Sequence, residues 1–390
     1  MNEILSMEIS QMPGLNFECS CGKRHAVEIK HIIVASGCLF EAACLAAEMR
    51  ATKIFLLADD TTYAVCGKKA GELFVEKGIT LCSYIFKSDT SLVPDEKALG
   101  RLLVEMSADT SLIVAVGSGT LNDLARMLSC KTHIPYFILA TAPSMDGFAS
   151  TVSPLIIEGF KTTYEAVAPV AIIADTSILK DAPMEMIQAG FGDILGKYTA
   201  LTDWVLSREI CGEYYCELSA KLMESAVLKC MENRQAILTR DETAIRLITE
   251  ALILSGVAMG IVGNSRPASG AEHHMSHYWE MDALKKGWHH PLHGNAVGVA
   301  TVVSACIYEL MHDQLPAACK PPKPEAIVKM LQSVGAHDNP SALGVSRELF
   351  HETILHAMEI RDRYTILRFA NDKGRLPEIS DLLTRRFYSD

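Results

Sequence analysis

Over the first 175 positions, apolar residues cluster in short runs separated by turn-forming residues. Ile29–Ala35, Lys53–Leu57, Thr80–Phe86, Ser111–Val116, Tyr136–Ala140 and Val170–Ala174 are short and rich in Ile, Val, Leu and aromatics, the signature of buried strands. Between them, Leu39–Met49 and Thr62–Lys77 read as helices, the second stopped by Gly78. Strands alternating with helices predict a parallel sheet covered on both faces, a Rossmann-like α/β domain. After about residue 180 the period changes to that of helices, in Met184–Trp204, Cys211–Cys230, Glu242–Val262 and His293–Met311. The expected architecture is an NAD(P)-binding α/β domain over residues 1–180, with an N-terminal extension over about 1–28. An all-α domain over residues 181–390 follows, and the active site lies in the cleft between the two.

A length of 390 residues suits two such domains, and 49% hydrophobic with 21% charged residues is an ordinary globular balance. A net charge of −11 with no basic stretch argues against a nucleic-acid partner. The start of the chain has no basic segment followed by an apolar run, and the apolar runs of the first half fall short of the roughly 20 residues that span a membrane. The chain therefore reads as cytoplasmic, with no membrane insertion, and most of its 12 cysteines as buried thiols. Cys19, Cys21 and His25 stand apart. Their spacing offers three metal donors but matches no standard zinc module and lacks a fourth, so a hairpin turn with Gly22 at its bend is the plainer reading.

Two places carry chemistry. Ser111–Val116 runs into Gly117, Ser118, Gly119 and Thr120, and a helix starts there. Small residues admit a ligand to the backbone, and free N–H groups at a helix start attract a pyrophosphate. Thr120 or Asn122 caps the helix or donates to phosphate. Asp59, at the end of the second strand, either accepts from an adenosine ribose or caps the following helix. The second place is the histidine-rich stretch: six of 13 histidines (His273, His274, His277, His289, His290 and His293) fall within 21 positions. His273 and His277 share a helix face at four-residue spacing, and His274 replaces His273 if the helix phase differs. Imidazole is the commonest ligand for zinc and related metals. Asp193, a carboxylate in an apolar helical stretch, is the natural third ligand, leaving one coordination position open.

Gly117–Thr120, Thr141–Gly147, Gly192-Asp193, the H-x3-H of His273 and His277, and His293-Gly294 follow one another in an order that resembles the iron-containing alcohol dehydrogenase and glycerol dehydrogenase superfamily, which includes dehydroquinate synthase. Within it, Ala58–Gly67, Gly192–Ala200, Ser265–His273 and Arg361–Leu367 resemble the bacterial glycerol-1-phosphate dehydrogenases. The resemblance implies a divalent metal on Asp193, His273 and His293, with zinc favoured and nickel or iron as alternatives. It implies NAD(P)H across Gly117–Thr120 and Asn122, with Thr141, Ser144 and Ser150 nearby and Asp59 toward the ribose. Asp146 would bind substrate hydroxyls.

One departure matters: some superfamily members carry a histidine where this chain has Lys197. Lys197 and Arg266 become candidates for the phosphate of a small phosphorylated triose or polyol. Each has a rival reading, Lys197 as the partner of a carboxylate such as Asp193, and Arg266 as a partner of Glu272 or a domain-interface contact. His277 is the candidate proton donor, or else a structural donor beside the ligands. The implied reaction is reduction of dihydroxyacetone phosphate to glycerol 1-phosphate by a homo-oligomer. A dehydrogenase of unphosphorylated polyols and a dehydroquinate synthase-like lyase are the rivals.

Overall fold

The computed structural model describes residues 2–87 and 92–388. Ten strands occur among them: β1 (Asn16–Glu18), β2 (Arg24–Ala26), β3 (His31–Ala35), β4 (Lys53–Asp59), β5 (Thr80–Phe86), β6 (Leu112–Gly117), β7 (Tyr136–Ala140), β8 (Val152–Ile157), β9 (Phe160–Glu165) and β10 (Ala171–Asp175). The six expected strands form one all-parallel sheet in the order β3-β10-β7-β6-β4-β5. Every residue of β6, β7 and β10 is buried, as a sheet covered on both faces requires. Alternate residues feed separate cores. Ile54, Leu56, Val114 and Leu139 face one, while Phe55, Leu57, Ile113 and Ile138 face another that continues into the helical half.

The helices that matter are α1 (Phe40–Glu48), α2 (Lys68–Glu76), α3 (Glu96–Glu105), α4 (Gly119–Thr132), α5 (Met184–Cys211), α6 (Glu217–Glu232), α7 (Glu242–Val262), α8 (Ala271–Lys286) and α9 (His293–Leu310). Four more, α10 (Pro324–Ser333), α11 (Arg347–His356), α12 (Ile366–Asp372) and α13 (Leu376–Phe387), complete the C-terminal half. The expected helix over 62–77 contains a π-helical turn at Tyr63–Gly67 before α2. The helix expected from Cys211 begins only at Glu217, because α5 runs on to Cys211 and ends on Gly212 at φ +65°. The antiparallel hairpin β8–β9 went unread in the sequence: β9 is mostly exposed and polar, so it lacks an apolar run. Of all the described helices, α7 has the length and composition to cross a membrane, and 67% of its apolar window is buried inside the protein.

Helices α5 and α9 cross at van der Waals contact between backbones. A Cβ on Gly294 would sit 1.8 Å from the Ala189 carbonyl oxygen, and one on Gly192 would sit 2.4 Å from the Gly294 oxygen. Glycine is required at both positions because any side chain would wedge the two helices apart. The neighbours of these glycines, Asp193 and His293, are thereby held at one level.

Candidate metal and dinucleotide site

In the sheet, the chain passes outward from β4 to β5 and, in the other direction, from β6 to β7 and β10. The crevice between the C-terminal ends of β4 and β6 is therefore the topological switch point, where open parallel sheets bind ligands. Asp59 ends β4, and Gly117 ends β6. Helix α4 starts at Gly119, directly after Ser118, and presents its N-terminal N–H groups there. Asn122 is buried; its Nδ2 donates to the Gly147 oxygen at 3.0 Å, and its Oδ1 has no partner. Thr120 lies half-buried in the first turn of α4. Asp59 takes the capping role, its Oδ1 accepting from the Thr62 N–H at 2.6 Å. Its second oxygen takes no part in that bond.

The loop after β7 links this turn to the helical half. The Thr141 N–H donates to the Gly117 oxygen at 3.1 Å, and the Ser118 and Ser144 hydroxyls lie 2.6 Å apart. Two residues on, the Asp146 N–H donates to Asp193 Oδ2 at 2.9 Å. The loop is pinned from beneath by Arg126, a buried side chain that sequence reading passed over. Its guanidinium donates to the Gly147 and Val152 oxygens and pairs with Asp123 at 2.6 Å. Ser150 is buried and closes its own turn, exchanging hydrogen bonds with Val152 at 3.1 and 3.2 Å. Its hydroxyl is thus engaged within its own turn.

Asp193 (α5), His273 (α8) and His293 (the first residue of α9) converge, their donor atoms all within 4.8 Å of one another. His273 Nε2 is 3.7 Å from Asp193 Oδ1, and its Nδ1 is 2.9 Å from the buried Glu272 carboxylate. A carboxylate behind a histidine fixes the tautomer and aims the other nitrogen at a metal. His293 Nδ1 is buried without a partner. An orphaned imidazole nitrogen, a carboxylate and an oriented second imidazole suit a divalent transition ion. His274 is buried outside that cluster, its two ring nitrogens without a partner and the charges of Arg361, Arg363 and Arg266 nearby. A second set, His277, Glu280 and His293, shares His293. There Glu280 is already committed to Lys161 of β9 at 2.5 Å and lies 3.4 Å from His277 Nδ1.

Burial dominates the electrostatics. It depresses His277 to about 3 and His293 to about 4, so both are neutral and able to donate a lone pair. Burial, reinforced by Asp146, raises Asp193 to about 6 even with Lys197 beside it. Burial also pushes Asp146 up, but Lys197 and the Ser255 hydroxyl outweigh it and leave that carboxyl lowered.

Two cations have partners that the sequence left open. The Lys197 ammonium is fully buried between Asp193 Oδ1 at 2.6 Å and Asp146 Oδ2 at 2.7 Å, as in the rival reading of it as a partner of Asp193. Arg266 is not paired with Glu272. It forks onto Glu213, with Nε to Oε1 at 2.8 Å, and donates to the Tyr364 oxygen at 2.9 Å. A buried guanidinium with those partners braces the loop after α5. Sequence reading gave no role to Arg361. It makes a long hydrogen bond to Ser265 Oγ at 3.5 Å, and no carboxylate lies within ion-pair distance of it among the described residues. Its charge helps lower the proton affinity of His273, His274 and His277.

The profile of the iron-containing alcohol dehydrogenase family matches residues 33–183. A glycerol-1-phosphate dehydrogenase (NAD(P)+) of Halalkalibacterium halodurans is 36% identical over 95% of this chain and 99% of its own length. One from Methanosarcina mazei is 33% identical over 87% and 90%. Among solved structures, a glycerol dehydrogenase from Schizosaccharomyces pombe superposes with a TM-score of 0.68 over 91% of this chain and 90% of its own, at 19% identity, a likeness of fold. Near-complete coverage at that identity, on this fold, places the chain in the glycerol-1-phosphate dehydrogenase family of the iron-containing alcohol dehydrogenases.

Proposed function

We propose that the chain is an NAD(P)-dependent sn-glycerol-1-phosphate dehydrogenase that reduces dihydroxyacetone phosphate. Residues 1–180 would bind the dinucleotide and residues 181–390 the metal. The observation that carries the reading is the cluster of Asp193, His273 and His293, joined through Asp146 and Ser144 to the glycine turn at the switch point.

Asp193, His273 and His293 would hold the divalent ion, with zinc favoured over nickel or iron. Gly117, Ser118, Gly119, Thr120, Asn122, Thr141 and Ser144 would hold NAD(P)H, with Asp59 toward the ribose. When bound, the ion supplies a Lewis acid for the carbonyl oxygen, and the nicotinamide supplies hydride. The protein's own contribution is orientation and proton handling. Glu272 and the α5–α9 crossing fix the ligands. Asp146, held by Lys197 and by Ser255 at 2.8 Å, offers its remaining lone pairs to a substrate hydroxyl. Glu280, 3.4 Å from His277 Nδ1, would keep the ring proton there, which leaves the neutral Nε2 to accept the alcohol proton in the oxidation direction; in the reduction that nitrogen would first take a proton from solvent and then pass it to the reacting oxygen. Lys197 is thus a positioning residue. The phosphate needs a cation not already neutralised, and Arg361 meets that condition best.

All 12 cysteines are unbridged, and a reducing, cytoplasmic setting belongs to the same reading. Self-association as a homodimer belongs to the same reading and is checked by light scattering.

The test follows NADH oxidation by protein loaded in turn with zinc, nickel and iron(II). Preference for dihydroxyacetone phosphate over dihydroxyacetone, abolished by chelator and by His293→Ala, is expected. Arg361→Ala should raise KM for the phosphate substrate and leave dihydroxyacetone turnover nearly unchanged. Equal use of both ketones by the wild type would make this a polyol dehydrogenase. Absence of net NADH consumption would favour a lyase.

A further inference from the structure

The N-terminal hairpin places three donors in one place. Cys19 and Cys21 lie in the turn between β1 and β2, where Gly22 takes φ +84° and donates its N–H to the Cys19 oxygen at 3.0 Å. His25, the inward-facing residue of β2, is buried with 2% exposure. The fourth donor that the sequence spacing lacked arrives from 191 residues away. Cys216, the residue before α6, puts its Sγ 3.6 Å from His25 Nε2 and 3.9 Å from Cys19 Sγ. Cys21 Sγ lies 3.2 Å from the same imidazole nitrogen. All four donor atoms fall within 4.8 Å of one another.

These separations match the edges of a coordination tetrahedron. Ligand bonds of ~2.3 Å to sulfur and ~2.0 Å to nitrogen set S···S edges of about 3.8 Å and S···N edges of about 3.5 Å. They do not match a disulfide: the Cys19–Cys216 separation is nearly twice an S–S bond of ~2.05 Å. The surroundings of Cys21 also suit a thiolate. The Tyr214 hydroxyl lies 3.0 Å from Cys21 Sγ, and Lys23 sits over the Tyr214 ring at 3.7 Å.

We propose that Cys19, Cys21, His25 and Cys216 form a closed, structural Cys3His site for zinc, separate from the catalytic centre. It shares no residue with Asp193, His273 and His293, and it stands whether or not the catalytic reading does. Four protein ligands leave no open position, so its role is mechanical. It staples the N-terminal hairpin to the segment between α5 and α6, the same segment from which Glu213 holds Arg266.

The decisive experiment uses full-length protein carrying His293→Ala, which disables the other site. After purification with zinc and gel filtration, one zinc per chain should remain, against two for the wild type. Replacement by cobalt(II) should give near-ultraviolet thiolate-to-cobalt absorption and intense visible bands of a tetrahedral ion, and Cys216→Ser should remove the thiolate band or shift it strongly. The cobalt spectrum of the His293→Ala protein decides the matter even if cysteine variants fail to fold. No retained metal, a cobalt spectrum without thiolate absorption, or a Cys19–Cys216 disulfide found by mass spectrometry would overturn the proposal.

Discussion

Replacing Gly294 by alanine tests how the metal ligands are positioned. In an ordinary helix the change stabilises by roughly 0.5–1 kcal/mol, because glycine loses more backbone entropy on folding. Here the new methyl would lie 1.8 Å from the Ala189 carbonyl oxygen and 2.5 Å from its carbon. Ordinary contact begins near 3.4 Å, so α9 must retreat from α5 by roughly 1.6 Å, and both contacts are rigid backbone. Overpacking of this kind costs ~1–3 kcal/mol, which reverses the sign expected from propensity. The retreat also carries His293 away from Asp193, whereas metal–ligand distances tolerate only about 0.2 Å. Gly294→Ala should therefore lower the melting temperature, lose metal to a competing chelator, and reduce kcat by at least ~100-fold. Gly260→Ala is the control: nothing lies within 4 Å of its added Cβ, so it should be neutral or stabilising. Thermal melts and metal content after gel filtration measure both. A Gly294→Ala protein that is as stable as wild type and keeps its metal would refute the close-crossing argument.

Other outcomes follow from the same geometry. Glu272→Ala removes the partner of His273 Nδ1, and metal affinity should fall about 10–100-fold in a competition titration while the ligands stay in place. Lys197→Met leaves Asp193 and Asp146 unpaired in the interior and should destabilise metal-free protein by ~3–5 kcal/mol. The loss should be smaller once a divalent ion restores positive charge, so equal losses in denaturant melts with and without chelator would contradict the assignment. Arg266→Ala should cost ~1–3 kcal/mol of stability through the stranded Glu213 and the lost bond to Tyr364. Its KM for the phosphorylated substrate should move far less than that of Arg361→Ala, and the reverse order would return the phosphate to Arg266.

The six parallel strands were legible in the sequence because a sheet buried on both faces must be written as short apolar runs. The candidate metal cluster was legible because few structural needs concentrate imidazoles and a carboxylate in this way. Strand β9 was not legible, since an exposed hairpin leaves no apolar run to find. Charge partners escaped for a different reason. Lys197, Arg266 and Arg361 have similar cationic chemistry in the sequence, but burial obliges the first two to sit against carboxylates and leaves the third without one among the described residues. That choice depends on which carboxylate folding brings near, and Glu213 lies 53 residues from Arg266. The choice between His273 and His274 was likewise a matter of helix phase, and the packing of α8 beside α5 and α9 is what brings His273 to Asp193 and His293. Cys216 is the clearest case. The sequence supplied three donors and the reason they needed a fourth, but the fourth is 191 positions distant from His25, and only the packing of the N-terminal hairpin against the start of α6 brings it within reach. Residue types and local spacing determined the chemistry available to this protein, because they act over one turn of helix or one strand. Which groups meet was decided by tertiary packing, because burial selects partners by distance in space and not along the chain.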